Sequence, residues 1–88
     1  MEGGIDVTVL FFASLDEVAG CRERAVRLEE GSTVRELVAE VATMMGEDFL
    51  REFSRVPIQF AVNEAFVREQ QVLHDGDTVA LIPPVTGG

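Results

Sequence analysis

The chain has 88 residues, room for one domain, of which 47% are apolar, and a formal charge of −9. That balance excludes global disorder. It also argues against nucleic acid and against an anionic membrane surface, since both are held through clustered Lys and Arg. With Cys21 as the only cysteine there is no internal disulfide, which fits a reducing, cytoplasmic setting.

No apolar run approaches the ~20 residues of a membrane helix, and the acidic start lacks the basic n-region of a signal peptide. A soluble, intracellular protein without a leader is therefore expected. A basic protein partner or a basic enzyme pocket suits the charge better than any polyanion.

In chain order, Met1-Glu2-Gly3-Gly4 reads as a lead-in. Ile5, Val7, Val9 and Phe11 then alternate with Asp6, Thr8, Leu10 and Phe12, the period-2 pattern of a strand. The second face of this strand begins polar and ends apolar, so its far end is expected to be covered on both sides, by the domain or by a partner. Ser14 to Gly20 reads as a loop, and Arg22 to Leu28 as a charged strand near an edge. Thr33-Val34-Arg35-Glu36 matches a capping box. Val34, Leu37, Val38, Val41 and Met45 follow at helical spacing, with Gly46 as the stop. Phe49, Leu50 and Phe53 suggest one further short helical turn packed on the core.

Pro57 is expected to open another strand, with Ile58, Phe60 and Val62 on one face, and Asn63-Glu64 to turn into Phe66-Val67. Asp75-Gly76-Asp77 is a turn signal launching Thr78 to Ile82, an apolar run suited to a central strand buried on both faces. Pro83-Pro84 must end that strand, since neither donates to a ladder. The order strand, strand, helix, strand, short strand, strand, with one long amphipathic helix, implies a mixed sheet wrapped on that helix. This is an α+β roll of the β-grasp, or ubiquitin-like, class, with the domain at 1–82 and an extended tail at 83–88.

Catalytic sets of the usual kinds are missing from the sequence. One His and one Cys make no zinc cluster of ordinary ligand types. A Cys21–His74 dyad requires the fold to bring the two together. Otherwise Cys21 is a small apolar residue at a strand start, and His74 a solvated turn residue. Asp75 and Asp77 read as turn chemistry rather than a carboxylate pair, and Glu23, Glu29 and Glu36 as solvated faces. No phosphate-binding glycine loop occurs, so no cofactor is expected on this chain.

The segment Pro83-Pro84-Val85-Thr86-Gly87-Gly88 is different. Fully extended it reaches about 20 Å. Its prolines favour polyproline II and point it away from the sheet, and its glycines make a thin tip able to enter a narrow pocket. A terminal carboxylate is ionised at neutral pH and a poor electrophile. To carry anything it must become an acyl adenylate on another, ATP-using protein. A sulfur nucleophile then gives a thiocarboxylate, and an amine gives an amide bond to a target. A binding module with an incidental tail is the third alternative.

The chain resembles the small subunits of molybdopterin synthase, the MoaD family of ubiquitin-like sulfur carriers, over nearly its whole length. The resemblance rests on Val9-Leu10-Phe11-Phe12-Ala13 with Glu17 and Gly20, on Val62-Asn63, on Asp75-Gly76-Asp77 with Val79-Ala80, and above all on Pro83-Pro84-Val85-Thr86-Gly87-Gly88. It implies that Gly88, preceded by Gly87, is adenylated by an adenylyltransferase related to the ubiquitin-activating enzymes, which uses ATP and magnesium. Conversion to a thiocarboxylate and sulfur donation to cyclic pyranopterin monophosphate follow, within a heterotetramer of two large and two small subunits. It further implies partner contacts through Phe12, Phe66, Ile82, Pro83, Pro84, Val85 and Thr86, and no activity from the isolated chain. Two positions depart from the family pattern: Asp16, where an arginine is frequent, and Glu64, where a glycine is common.

Overall fold

The computed structural model describes residues 3–84. Five strands and three helices alternate as β1 (Gly4–Phe11), α1 (Ser14–Ala19), β2 (Glu23–Glu29), α2 (Val34–Met45), α3 (Glu47–Arg55), β3 (Gln59–Val62), β4 (Ala65–Val67) and β5 (Thr78–Ile82). The strands form one sheet in the order β2-β1-β5-β3-β4. β1 and β5 pair in parallel, with Val9 opposite Val79, and the other neighbours are antiparallel. This is the mixed β-grasp sheet expected, and β2 lies at an edge as its charges suggested.

Side-chain alternation sorts the sheet into two faces. Ile5, Val7, Val9 and Phe11 of β1 and Val79 and Leu81 of β5 share one buried cluster with Leu15 of α1, Val34, Leu37 and Val41 of α2 and Phe49 of α3. All three helices therefore pack on the same face. Helix α2 starts with the expected capping box: Thr33 Oγ1 accepts from Glu36 N–H at 3.3 Å, and Glu36 Oε1 accepts from Thr33 N–H at 2.9 Å. The next free donors of its first turn, Val34 and Arg35 N–H, give to the carbonyls of Gln71 and Glu69, both at 2.9 Å. The connection between β4 and β5 is thereby tied to the helix, and its Leu73 is buried in the core.

Several expectations need correction. Ser14–Ala19 is a helix rather than a loop. Leu15, Val18 and Ala19 fall at i, i+3 and i+4 and face the core. Gly20 closes the turn in the left-handed region (φ 76°), its N–H giving to Asp16 O at 3.0 Å. That conformation is open to glycine at little steric cost.

The single helical turn expected after Gly46 is the nine-residue α3. In it Phe49 stacks on Phe53 with centroids 5.9 Å apart and meets Phe11 edge-on at 5.6 Å, while Leu50 points outward. β3 begins at Gln59, two residues after Pro57, and β2 runs one residue later than read. β5 is central but buried on one face only: Val79 and Leu81 are inside, and Thr78, Ala80 and Ile82 stay partly exposed. The cause is plain, since among the described residues no element packs on the far side of the sheet.

Candidate functional site: the open face of the sheet

The uncovered face carries the remaining side chains of β1, β5, β3 and β4. Toward the end of β1 that holds Phe11, they surround a concavity of about 520 Å³ lined by Leu10, Phe12, Ala61, Asn63, Glu64, Phe66, Thr78, Ala80 and Ile82. Ala61 sits opposite Ala80 and opposite Phe66 in the ladders, and Leu10 opposite Ala80. Small residues thus form the floor and large apolar ones the walls. Phe66 is 70% exposed and Phe12 45%. Exposed aromatics of this size, gathered on one patch, mark an interaction surface rather than scattered surface apolarity.

Local backbone geometry presents both walls. Phe12 follows the last β1 residue and precedes Ala13, whose φ of 53° bends the chain into α1. Phe66 is carried by a two-residue hairpin turn in which Asn63 (φ 51°) and Glu64 (φ 74°) both occupy the left-handed region, with Val62 opposite Ala65 across it. Such a turn matches the twist of the flanking strands and prefers Asn followed by Gly. Asn63 fits, whereas Glu64 stands where glycine is favoured. Its presence does not alter the turn expected from Asn63-Glu64.

The turn is tied down by polar groups. Asn63 Nδ2 gives to Asp77 Oδ1 at 2.9 Å, and Asn63 Oδ1 accepts from Thr78 N–H at 3.0 Å. Asp77 Oδ2 accepts from His74 N–H at 2.8 Å, and Asp75 Oδ1 accepts from Asp6 N–H at 2.8 Å. The two aspartates are therefore occupied as turn acceptors around Gly76 (φ 87°), as the sequence implied.

A second hollow of about 390 Å³ lies on the other side of Phe12, lined by Leu10, Phe11, Phe12, Ala13, Asp16, Arg22 and Glu23. Asp16 occupies the first turn of α1. A carboxylate there faces the positive end of the peptide dipoles, which gives the departure from arginine a local rationale. At the other end of α1, the Phe11 N–H donates to Arg22 O, placing Cys21 beside the end of β1.

His74 lies toward the opposite end of that strand, since Gly76 N–H donates to Asp6 O. About five residues of strand, ~17 Å, separate those two levels. The structure therefore does not assemble a Cys21–His74 dyad. Cys21 is partly buried against the core, and His74 is exposed.

The strongest electrostatic perturbation lies away from this face. The Glu52 carboxyl is held down to about 2 by hydrogen bonding from Arg55, with a further bond from Ser14. The Arg55 guanidinium is correspondingly pushed up. Glu52 Oε2 lies 2.8 Å from Arg55 Nη2. This pair lies within α3 and is structural rather than chemical in character.

Of the residues singled out in the sequence, Phe12, Phe66 and Ile82 converge on the concavity. Pro83 directly follows β5 and is buried, and Pro84 is exposed. Val85, Thr86, Gly87 and Gly88 lie outside the described residues. The apolar end of the second face of β1, Leu10 and Phe12, is part of this lining as the alternation implied, whereas Ala61 and Ala80 were missed. A signal was present for Ala80, a small residue at the alternate position between buried Val79 and Leu81, whereas Ala61 is itself buried between partly buried neighbours. The sequence reading also missed the side-chain role of Asn63, for which the only cue was an Asn at a turn.

Residues 9–88 match the ThiS family. The chain is 36% identical to the molybdopterin synthase sulfur carrier subunit of Chlamydomonas reinhardtii over 96% of its own length and all of that protein. Its fold is similar to that of small archaeal modifier protein 1 of Haloferax volcanii (TM-score 0.80, 27% identity, 92% of this chain and 99% of that one). It is similar also to a chain in the complex of subunits 1 and 2 of molybdopterin-converting factor from Helicobacter pylori (TM-score 0.67, 27% identity, 96% and 100%). An open apolar sheet face, a β-grasp body and these relationships lead to one conclusion: the chain belongs to the ThiS family, among the ubiquitin-like sulfur carriers of the molybdopterin synthase small-subunit (MoaD) type.

Proposed function

We propose that this chain is the sulfur-donating small subunit of a molybdopterin synthase, with the reactive sulfur carried on Gly88. The Gly88 carboxylate attacks the α-phosphate of ATP, bound with magnesium on a separate adenylyltransferase of the ubiquitin-activating type, to give an acyl adenylate and pyrophosphate. A sulfur nucleophile then displaces AMP and leaves a thiocarboxylate. The large subunit receives the tail, and sulfur passes to cyclic pyranopterin monophosphate in molybdenum cofactor biosynthesis.

Two such transfers supply the dithiolene, in a cytoplasmic heterotetramer of two large and two small subunits. The isolated chain supplies the sulfur and not the acid–base groups, and binds no cofactor of its own.

The observation that carries this reading is the concavity beside the end of β5. Phe12, Phe66 and Ile82 meet there, and Ile82 is followed directly by Pro83 and Pro84. A partner gripping that face is thereby next to the strand that the segment ending in Gly88 follows in sequence. The Helicobacter pylori complex supports a large-subunit partner.

The likeness to the archaeal modifier favours a second reading, in which the activated tail ends as an amide on a target lysine. Intact-protein mass spectrometry after incubation with the adenylyltransferase, ATP, magnesium and a sulfur source separates the two. Exchange of one oxygen for sulfur at Gly88 is the expected result. A branched conjugate without sulfur would favour the modifier.

A further inference from the structure

We propose that Asn63 is a positioning residue, whose side-chain amide clasps the β3–β4 hairpin to the start of β5 and so sets where Phe66 stands on the docking face. The inference rests on the docking reading above and adds to it the group that holds the most exposed aromatic in place.

Phe66 has no core contact to fix it. It is 70% exposed, and it sits in a three-residue edge strand that pairs with β3 alone. Its position is therefore inherited from the hairpin backbone. At the turn, Asn63 makes three hydrogen bonds, two with Thr78 at the start of β5 and one with Asp77 just before it. Its N–H donates to Thr78 O at 2.8 Å, its Oδ1 accepts from Thr78 N–H at 3.0 Å, and its Nδ2 donates to Asp77 Oδ1 at 2.9 Å.

The last of these reaches a carboxylate whose other oxygen is engaged by His74 N–H, so the acceptor cannot swing away without losing a partner of its own. Bonds to a charged group are the stronger kind. The clasp also joins the hairpin to β5, the strand from which Pro83 and Pro84 depart. The aromatic wall and the two prolines after Ile82 are thus referred to one strand.

The atom-by-atom pattern offers a clean test. N63D keeps an oxygen for Thr78 N–H and tolerates the left-handed backbone, but sets a carboxylate against that of Asp77. The swap N63D/D77N restores the bond with donor and acceptor exchanged. The amide at position 77 then donates to the carboxylate at position 63, while its oxygen still accepts from His74 N–H.

Affinity for the cognate large subunit is measured by calorimetry for wild type, N63D, the swap, F66A, and F66A combined with N63D, with melting temperatures recorded alongside. The expected results are about a tenfold loss for N63D, recovery in the swap, and no further loss when N63D is added to F66A. Equal losses from N63D in both backgrounds, or no loss at all, overturn the inference and leave docking through Phe66 standing. An F66A variant that binds like wild type overturns the docking reading, and this inference with it.

Discussion

On β1, Ile5, Val7, Val9 and Phe11 face the helices and are at most 5% exposed, whereas Phe12, on the other side of the sheet, is 45% exposed. β5 repeats the contrast, with Val79 and Leu81 inside and Ala80 and Ile82 partly open. The same strands thus build a closed face and an open one, and the closed face alone supplies a continuous core with α1, α2 and α3. Among the described residues, no helix packs on the apolar residues of the open face. Stability belongs to the closed face, the proposed function gives association to the open one, and each substitution below is a way to break that division.

The largest effect belongs to the closed face. Phe49 is fully buried between Phe11 and Phe53. Phe49→Ala removes a large core side chain and is expected to cost ~3–5 kcal/mol, enough to unfold a domain of this size in mild denaturant. Urea melts check it.

On the open face, Phe66→Asp is expected to leave the urea midpoint nearly unchanged, within ~0.5 kcal/mol as for ordinary surface changes. It should weaken assembly with the large subunit by roughly thirtyfold or more, the scale of an aromatic hot spot. Gel filtration of the mixed subunits reads the loss. Comparable damage to folding would erase the distinction between the faces.

Glu64→Gly sharpens the comparison from the turn. It relieves a non-glycine residue at φ 74° and is expected to stabilise the chain by roughly 0.5–1 kcal/mol, part of the relief being offset by greater freedom of the unfolded chain. Thermal melts decide it.

Smallest is the effect of Glu52→Gln. A carboxyl lowered from 4.5 to about 2 in the folded state stabilises the fold fully above its ordinary value and loses that contribution as pH falls through the lowered one. The pair is at the surface, where such pairs contribute little. The variant's melting temperature should therefore fall slightly less steeply than wild type between about pH 4.5 and 2.

How much of this was legible in the sequence follows from which face is concerned. The capping box at Thr33, the spacing of Val34, Leu37 and Val41, and the alternation in β1 were readable because burial imposes a period. Helix α1 was missed because six residues give the period too little length, although Gly20 carried the stop signal. β5 was read as buried twice over because an uninterrupted apolar run looks the same whether its second face meets a helix of its own chain or waits for a partner. Phe12 was marked by the apolar end of the second face of β1 and by family resemblance, and Phe66 entered through the resemblance alone. That they share one concavity with Ile82 required the strand order, which no local pattern encodes. The bond between Asn63 and Asp77 spans fourteen positions and has no sequence signature beyond two turn-forming residues.

The central claim is that the open face delivers the sulfur on Gly88 to the large subunit. It is tested most directly by single-turnover transfer from thiocarboxylated chain to cyclic pyranopterin monophosphate, with the large subunit held below saturation. Wild type should transfer sulfur while thiocarboxylated Phe66→Asp, equally folded, lags far behind and recovers as the large subunit is raised. Transfer by the variant at the wild-type rate under the same conditions would contradict the account.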